Sequence, residues 1–406
     1  MPKSIGRSPL VSLMGPAMVA GVAYLDPGNV ASNITAGSRY GFLLVWVAVI
    51  ANLIAWMVQF LSARLGIVTG LSLPEVMGQR ITSRRWRFAY WIQGELVAMA
   101  TDVAEVVGGA IALHLLFGLP LWIGGIVVGL VALVLLGVQS RFGPKPFERV
   151  IVLFILVIVI GFGASLVVHP VNSVDVLAGL IPRFDGAGSV LLATAILGAT
   201  VMPHAIYAHS ALSRERFGDV KNEDIPRLLA ATRIDVTTAL AIAGAVNITL
   251  IVVGGAVLSA HPESETLAGA YSALGTELGT TIAVLFAVGL LASSLASTAV
   301  GAYAGAEIMS GLTDFHVNPL VRRAITIIPA VVLLASGFEP TTALIVSQVI
   351  LSFGIPFALI PLIVVTTSRR LMGEHRAGST LRAFATAAAV LVVIINGGLI
   401  ALTLGA

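Results

Sequence analysis

Long apolar stretches succeed one another along the whole chain, separated by short charged or proline- and glycine-rich gaps. Each is long enough, as a helix, to cross a hydrocarbon core about 30 Å thick. The gaps delimit eleven predicted spans, at residues 9–37, 41–68, 86–116, 119–138, 148–168, 188–213, 226–260, 277–311, 318–337, 340–366 and 379–404. The first reads as a mature span and not as a cleaved leader, being too long, without a clear small-residue cleavage site and with Asp26-Pro27-Gly28-Asn29 in its middle. No long linker, charged tail or low-complexity segment divides the chain, so residues 1–406 are expected to form one transmembrane domain. The polar connections at 261–276 and 214–226 are the longest, and they read as connectors or moving gates.

Composition agrees. Of 406 residues 57% are hydrophobic and only 11% charged, with mean hydropathy +1.00, whereas an ordinary soluble domain is about 25% charged. The absence of cysteine removes disulfides, thiolate ligands, thiol nucleophiles and redox pairs from consideration. The net charge of +3 is small, and its placement matters more than its size. With a cytoplasmic N-terminus, every one of the 23 Lys and Arg residues except Arg39 and Arg183 falls in a cytoplasmic segment. That asymmetry supports eleven spans with the C-terminus outside, and it makes the basic clusters topogenic rather than nucleic-acid binding. The expected setting is the bacterial plasma membrane, with the lipid bilayer as surroundings and no obligatory protein partner.

Two spans cannot run smoothly as helices. In the first, Pro27 lacks an amide hydrogen and disfavours helix at Asp26, and Gly28 adds backbone freedom. In the sixth, Gly198-Ala199-Thr200-Val201-Met202-Pro203-His204 has the same kind of interruption. The breaks lie five spans apart, the pattern of a transporter built from two inverted repeats, here about 9–168 and 188–366, with 379–404 as an extra helix. Pro and Gly also kink transmembrane helices without further purpose. That explains either break alone better than it explains two matching breaks, both bearing polar or sulfur side chains.

An unwound stretch persists in lipid only where it is buried in protein or lines a polar cavity. Asp26, deep in the membrane, therefore needs a cation or a proton, at a cost otherwise near ~3 kcal/mol. Asn29 offers a second oxygen, Met202 a thioether, and the breaks free carbonyls near Ala23 and Ala199. Mg²⁺ and Ca²⁺ prefer all-oxygen shells, so the sulfur favours softer divalent ions such as Mn²⁺ and Fe²⁺, with Co²⁺, Zn²⁺ and Cd²⁺ as competitors. Met202 would otherwise be a core-filling methionine.

Asp26-Pro27-Gly28-Asn29 together with Ala199-Thr200-Val201-Met202-Pro203-His204 resembles the paired signature of the Nramp family of divalent metal transporters, and the likeness, which includes the stretch from Glu95 to Glu105, extends over essentially the whole chain. The resemblance implies a LeuT-like all-α fold of eleven helices in a 5+5 inverted repeat. It implies proton-linked uptake of Mn²⁺ or Fe²⁺ as transported substrate, with no cofactor. It also implies metal ligation by Asp26, Asn29, Met202 and the Ala199 carbonyl, with the Ala23 carbonyl serving in another conformation. The magnesium and aluminium branches of the family look altered at the Asn or Met position, and this chain has neither alteration.

In the third span, Glu95, Asp102 and Glu105 lie seven and three residues apart, which puts three carboxylates near one helical face. Intramembrane acids in a row mark proton relays; alternatively they are structural acids paired with a base, for which Arg322 and Arg323 at the start of the ninth span are available. The resemblance implies proton roles for Asp102 and Glu105, with Asp26 as the start of the path. His204 either tunes Asp26, takes a proton, or packs as a hydrogen-bond donor; His209 is a weaker candidate. Gln348, in the tenth span, is a candidate for the metal shell in a closed state. Arg233 and Asp235 read as a gate or an ordinary ion pair.

The reading is thus a secondary transporter, not an enzyme, working by alternating access. A divalent cation moving inward gains ~2.3 kcal/mol per charge per 100 mV, and no Gly-x-x-x-x-Gly-Lys-Ser/Thr loop is present to power a pump. An organic-substrate symporter of the same architecture would not need the thioether. An intramembrane metalloenzyme lacks His-Glu-x-x-His, and a metal-gated channel would need no rocking.

Overall fold

The computed structural model describes residues 15–142, 144–169, 171–313 and 318–404, of which 135–142, 144–148 and 319–320 are described by backbone alone. The start of the predicted first span at residue 9, Lys3 and Arg7 lie outside the described residues, as do the side chains of Arg141 and Lys145. The described chain is helical, with no strand. Its first half comprises α1 (Pro16–Gly21), α2 (Pro27–Tyr40), α3 (Val45–Thr69), α4 (Leu73–Arg80), α5 (Arg84–Phe117), α6 (Leu121–Phe142), α7 (Pro144–Val168) and α8 (Ser173–Ala178). Its second comprises α9 (Gly186–Thr200), α10 (Pro203–Phe217), α11 (Ile225–Val253), α12 (Leu267–Glu277), α13 (Thr280–Leu312), α14 (Pro319–Ala335), α15 (Pro340–Thr366), α16 (Arg369–Met372) and α17 (Ser379–Leu404).

Among the described residues, eight helical stretches are long and apolar enough to cross a membrane: Val45–Thr69, Arg84–Phe117, Arg149–Val168, Gly186–Phe217, Asn222–Leu258, Thr280–Leu312, Pro340–Thr366 and Ser379–Leu404. The other three predicted spans meet shorter or divided elements. The first is split between α1 and α2, α6 is apolar over Leu121–Val134, and α14 has 17 residues. Arg322 and Arg323, read from the sequence as the start of the ninth span, lie in the first turns of α14 and are buried. They pair with the acids of α5, the partners the sequence made available to them.

α5 and α13 form the axis of the molecule. α5 packs on α6, α13, α14 and α15, and α13 also packs on α7 and α10. Around the breaks, α2 packs on α9, α11 and α15, and α9 on α15. Many contacts are made by alanine, such as Ala31, Ala104, Ala110, Ala296 and Ala304. In lipid no hydrophobic force drives helices together, so small side chains that allow close backbone approach supply the contact area. Large residues such as Leu153, Ile160 and Ile394 point outward instead, toward lipid.

Polar tethers hold both ends of the breaks. On one side Thr35 donates to the Glu265 carbonyl at 2.8 Å and Ser38 meets Ser264 at 2.6 Å. The 261–276 connection is therefore more than a connector: it contains α12 and is fastened to α2. On the other side Asp235 accepts from the Gly15 and Ala17 amides at 2.9 and 3.0 Å, holding the amino end of α1. Asp235 thus acts on α1, while the Arg233 guanidinium lies over the Phe60 ring at 5.5 Å. Arg214 joins Glu75 of α4 at 2.7 Å to Glu307 of α13 at 3.1 Å.

Candidate functional site

The first break is built by local chemistry. A short 3-10 turn over Val22–Leu25 ends at Asp26, whose backbone is extended at φ −66° and ψ 163°. A following proline forces that conformation on Asp26, and Pro27 then occupies the first position of α2, where its missing N–H is harmless. Asp26 Oδ1 accepts from the Asn29 amide at 2.7 Å, an aspartate N-cap on the half-helix. The freed carbonyls are satisfied from elsewhere: Ala23 accepts from Asp26 N at 3.2 Å, Tyr24 from Asn247 Nδ2 at 3.0 Å, and Leu25 from the Ser293 hydroxyl. In hydrocarbon such compensation is obligatory.

The second break mirrors it. α9 ends at Thr200, Met202 is non-helical at φ −36° and ψ 119°, and Pro203 opens α10.

The two breaks meet. Asn29 Nδ2 donates to the Ala199 carbonyl at 2.7 Å and to Asp26 Oδ1 at 3.1 Å, and Thr200 Oγ1 donates to Asn29 Oδ1 at 3.3 Å. From α15, Gln348 Nε2 donates to Asp26 Oδ2 at 3.2 Å. Two glycines permit this approach: a Cβ at Gly28 would collide with the Gln348 side chain, and one at Gly198 with the Gln348 carbonyl. Asp26, Asn29, Ala199 and Gln348 therefore form one hydrogen-bonded group. Ala23 and Met202, the other two expected ligands, are buried in the same large apolar cluster of the core. All six have 0% solvent exposure, so the group is closed to both sides. Among the described residues no three His, Asp or Glu side chains gather as a metal cluster. The site offers one carboxylate among neutral donors.

The acids of α5 meet α14. Arg322 pairs with Glu95 at 2.7 Å, and Arg323 pairs with Asp102 and, at 3.0 Å, with Glu105. Asp102 Oδ2 and Glu105 Oε1 have no hydrogen-bond partner among the described residues. His204 does not bond Asp26; its Nδ1 lies 3.1 Å from the hydroxyl of Thr101, next to Asp102. His209, five residues on, turns to Gln59 of α3 at 2.5 Å, and Gln59 contacts the Tyr24 hydroxyl. The two histidines thus leave α10 toward different helices.

Thr200 and Thr101, inside stretches that the sequence marks, complete these networks, as do Asn247, Ser293 and Gln59, which it does not single out. The only signal of the last three is that each is a polar residue inside an apolar stretch.

A family model described as Nramp, natural resistance-associated macrophage protein-like, matches residues 17–402. The chain is 54% identical over 397 residues to the divalent metal cation transporter MntH of Mycobacterium tuberculosis, covering 96% of this chain and 91% of that one. It is 42% identical over 389 residues to MntH of Bacillus subtilis, covering 95% and 91%. A solved manganese transporter of Eremococcus coleocola, in complex with an aromatic bis-isothiourea substituted compound, is similar with TM-score 0.85 at 30% identity over 98% of this chain and 87% of that one. MhsT in complex with L-phenylalanine, at TM-score 0.61 and 15% identity over 98% and 100%, is alike in fold alone. The fold is the LeuT-like one expected, with its first and sixth spans broken.

Proposed function

The chain belongs to the Nramp family of divalent metal cation transporters, and from that premise we propose that it imports Mn²⁺ or Fe²⁺ by alternating access, coupled to proton movement. The observation that carries this reading is the Asn29 side chain, which bridges Asp26 of one break and the Ala199 carbonyl of the other at 3.1 and 2.7 Å. A cation replacing those amide hydrogens would meet oxygens from both half-helices at once. Its ligands are Asp26, Asn29, Met202 and the Ala199 carbonyl, with Gln348 joining in the closed state and the Ala23 carbonyl in another. A single carboxylate suits a cargo that must be released as well as bound.

Protons take a separate route, from Asp26 past His204 to Asp102 and Glu105, with Arg323, and Glu95 with Arg322, setting the charge along α5. A bundle of helices rocks against a scaffold to open the site to either face, the N-terminus and the basic segments are cytoplasmic, and the membrane is the bacterial plasma membrane.

Purified protein in liposomes, loaded with a pH dye and given Mn²⁺, Fe²⁺, Mg²⁺ or Ca²⁺, tests the proposal. Wild type is expected to accumulate Mn²⁺ with internal acidification. Met202→Ala is expected to keep Mn²⁺ uptake but lose roughly tenfold of its preference over Ca²⁺ and Mg²⁺, as a thioether discriminates against hard cations. Unchanged selectivity would remove sulfur from the ligand set.

A further inference from the structure

α17 is pinned to α15 by a reciprocal pair of bonds: Ser352 Oγ donates to Asn396 Oδ1 at 2.8 Å, and Asn396 Nδ2 donates to the Ser352 carbonyl at 2.9 Å. Beyond that pin, toward the amino end of α17, a groove opens between the two helices. Its inner part, about 420 Å³, is walled by apolar side chains including Ile360, Val364 and Val393. Its mouth, about 880 Å³, is lined by Arg376, Arg382, Ser379 and Thr386. The two parts share Thr367, Arg382, Thr386 and Val390, so they are continuous.

The charge in this groove is unbalanced. No carboxylate lines either part, and neither Arg376 nor Arg382 forms an ion pair among the described residues. By contrast Arg214, Arg322 and Arg323 all have carboxylate partners. Arg376 and Arg382 are exposed and next to hydroxyl donors, an arrangement that suits a phosphate. The apolar trough running from them along two membrane helices suits an acyl chain.

We propose that the groove between α15 and α17 binds one anionic phospholipid, its phosphate held between Arg376 and Arg382 and one acyl chain laid against Ile360, Val364 and Val393. A zwitterionic lipid fits the trough but leaves the two guanidinium charges less well matched; free phosphate fits the mouth but leaves the trough bare. On the topology proposed above the mouth opens at the cytoplasmic leaflet, where basic side chains near the surface attract anionic lipid. The site borders α15, the helix that carries Gln348, and is separate from the metal group.

Native mass spectrometry on the full chain in detergent tests this, with phosphatidylglycerol, phosphatidylcholine and inorganic phosphate as separate arms. Phosphatidylglycerol is expected to bind first as a single saturable adduct, ahead of phosphatidylcholine, with no phosphate adduct. Arg376→Gln and Arg382→Gln are each expected to weaken that adduct about fivefold. Val393→Trp, which fills the trough and leaves both charges, is expected to weaken it as well. Arg84→Gln with Arg85→Gln, on the exposed start of α5, should leave it unchanged. Helical circular dichroism and size-exclusion profiles identify misfolded variants, and because the charge and the trough variants are independent, either alone decides the matter. Unchanged phosphatidylglycerol binding in the folded variants, equal loss in the α5 variant, or phosphate binding as well as the lipid would overturn the proposal.

Discussion

Asp26 on one side, and Asp102 with Glu105 on the other, are equally cut off from solvent, at 0%, 1% and 0% exposure, but their surroundings differ in charge. The groups that donate to Asp26 are neutral, among them the Asn29 amide, the Asn29 side chain and the Gln348 side chain. Asp102 and Glu105 share the guanidinium of Arg323. Neutral hydrogen bonds orient a carboxylate and soften its desolvation without cancelling its charge, so the first site remains a place where an arriving cation is the missing partner. At the second, two carboxylates face one guanidinium, which leaves one negative charge over, the charge that a single proton on the proposed route would match. Buried carboxylates are thus set apart by what stands opposite them, as the proposed separation of metal and proton routes requires.

The contrast breaks most completely at Asp26. Asp26→Ala is expected to reduce Mn²⁺ uptake into liposomes to background, because no second carboxylate is present to replace it. Asp26→Asn should do the same while leaving the N-cap and the melting temperature nearly intact, since an amide also caps α2 well. If the Asn variant still takes up Mn²⁺, the negative charge is not what draws the ion.

Next in size is Arg323→Ala, which leaves two buried carboxylates without their counter-charge. Breaking a buried pair in this way costs about 3–5 kcal/mol, and the expected result is a protein that melts far lower or fails to fold. Adding Asp102→Asn and Glu105→Gln to the same chain removes the uncompensated charge, and should recover most of the melting temperature without recovering proton movement. A double rescue of both would mean that the acids of α5 serve stability alone.

How much of this was legible in the sequence depends on how local the chemistry is. The break at Asp26 is written in consecutive residues, because proline acts on its immediate predecessor and aspartate caps the amide three residues on. The break at Met202-Pro203 is legible for the same reason. The pairing of α5 with α14 joins Arg323 to Asp102 across 221 positions, so the sequence offers it only as an alternative to a relay. Asn247 and Ser293, which satisfy the carbonyls of Tyr24 and Leu25, have no spacing that marks them. A lone polar residue in an apolar span becomes meaningful only when the unwound carbonyl opposite it is known. The contact between His204 and Thr101 is another such case: the histidine was visible, but not its direction.

A smaller effect separates the two routes themselves. Asp102→Ala retains Asp26 and its neutral donors, so Mn²⁺ affinity by calorimetry should change less than about threefold, about 0.6 kcal/mol by the usual conversion. Internal acidification during uptake should fall by much more, since the two-acid, one-base balance is lost. Equal losses in binding and proton movement would merge the routes and erase the comparison between the sites.

The smallest expected effect is at Gln348, and it sharpens the account of Asp26 most. Its Nε2 donates to Asp26 Oδ2 at 3.2 Å, while its Oε1 has no hydrogen-bond partner among the described residues. If Gln348 supplies that oxygen to the ion in the closed state, Gln348→Ala removes one neutral ligand of about 1 kcal/mol net, and Mn²⁺ affinity should weaken about fivefold. If the side chain instead competes with the ion for Asp26, the same substitution tightens binding, and an unchanged affinity excludes it from the site. Gln348→Glu carries the argument one step further by placing a second carboxylate beside Asp26, matching the pair on α5 in its acids but not in its arginine. Such a site should hold Mn²⁺ more tightly and release it more slowly, so that calorimetric affinity rises while the liposome uptake rate falls.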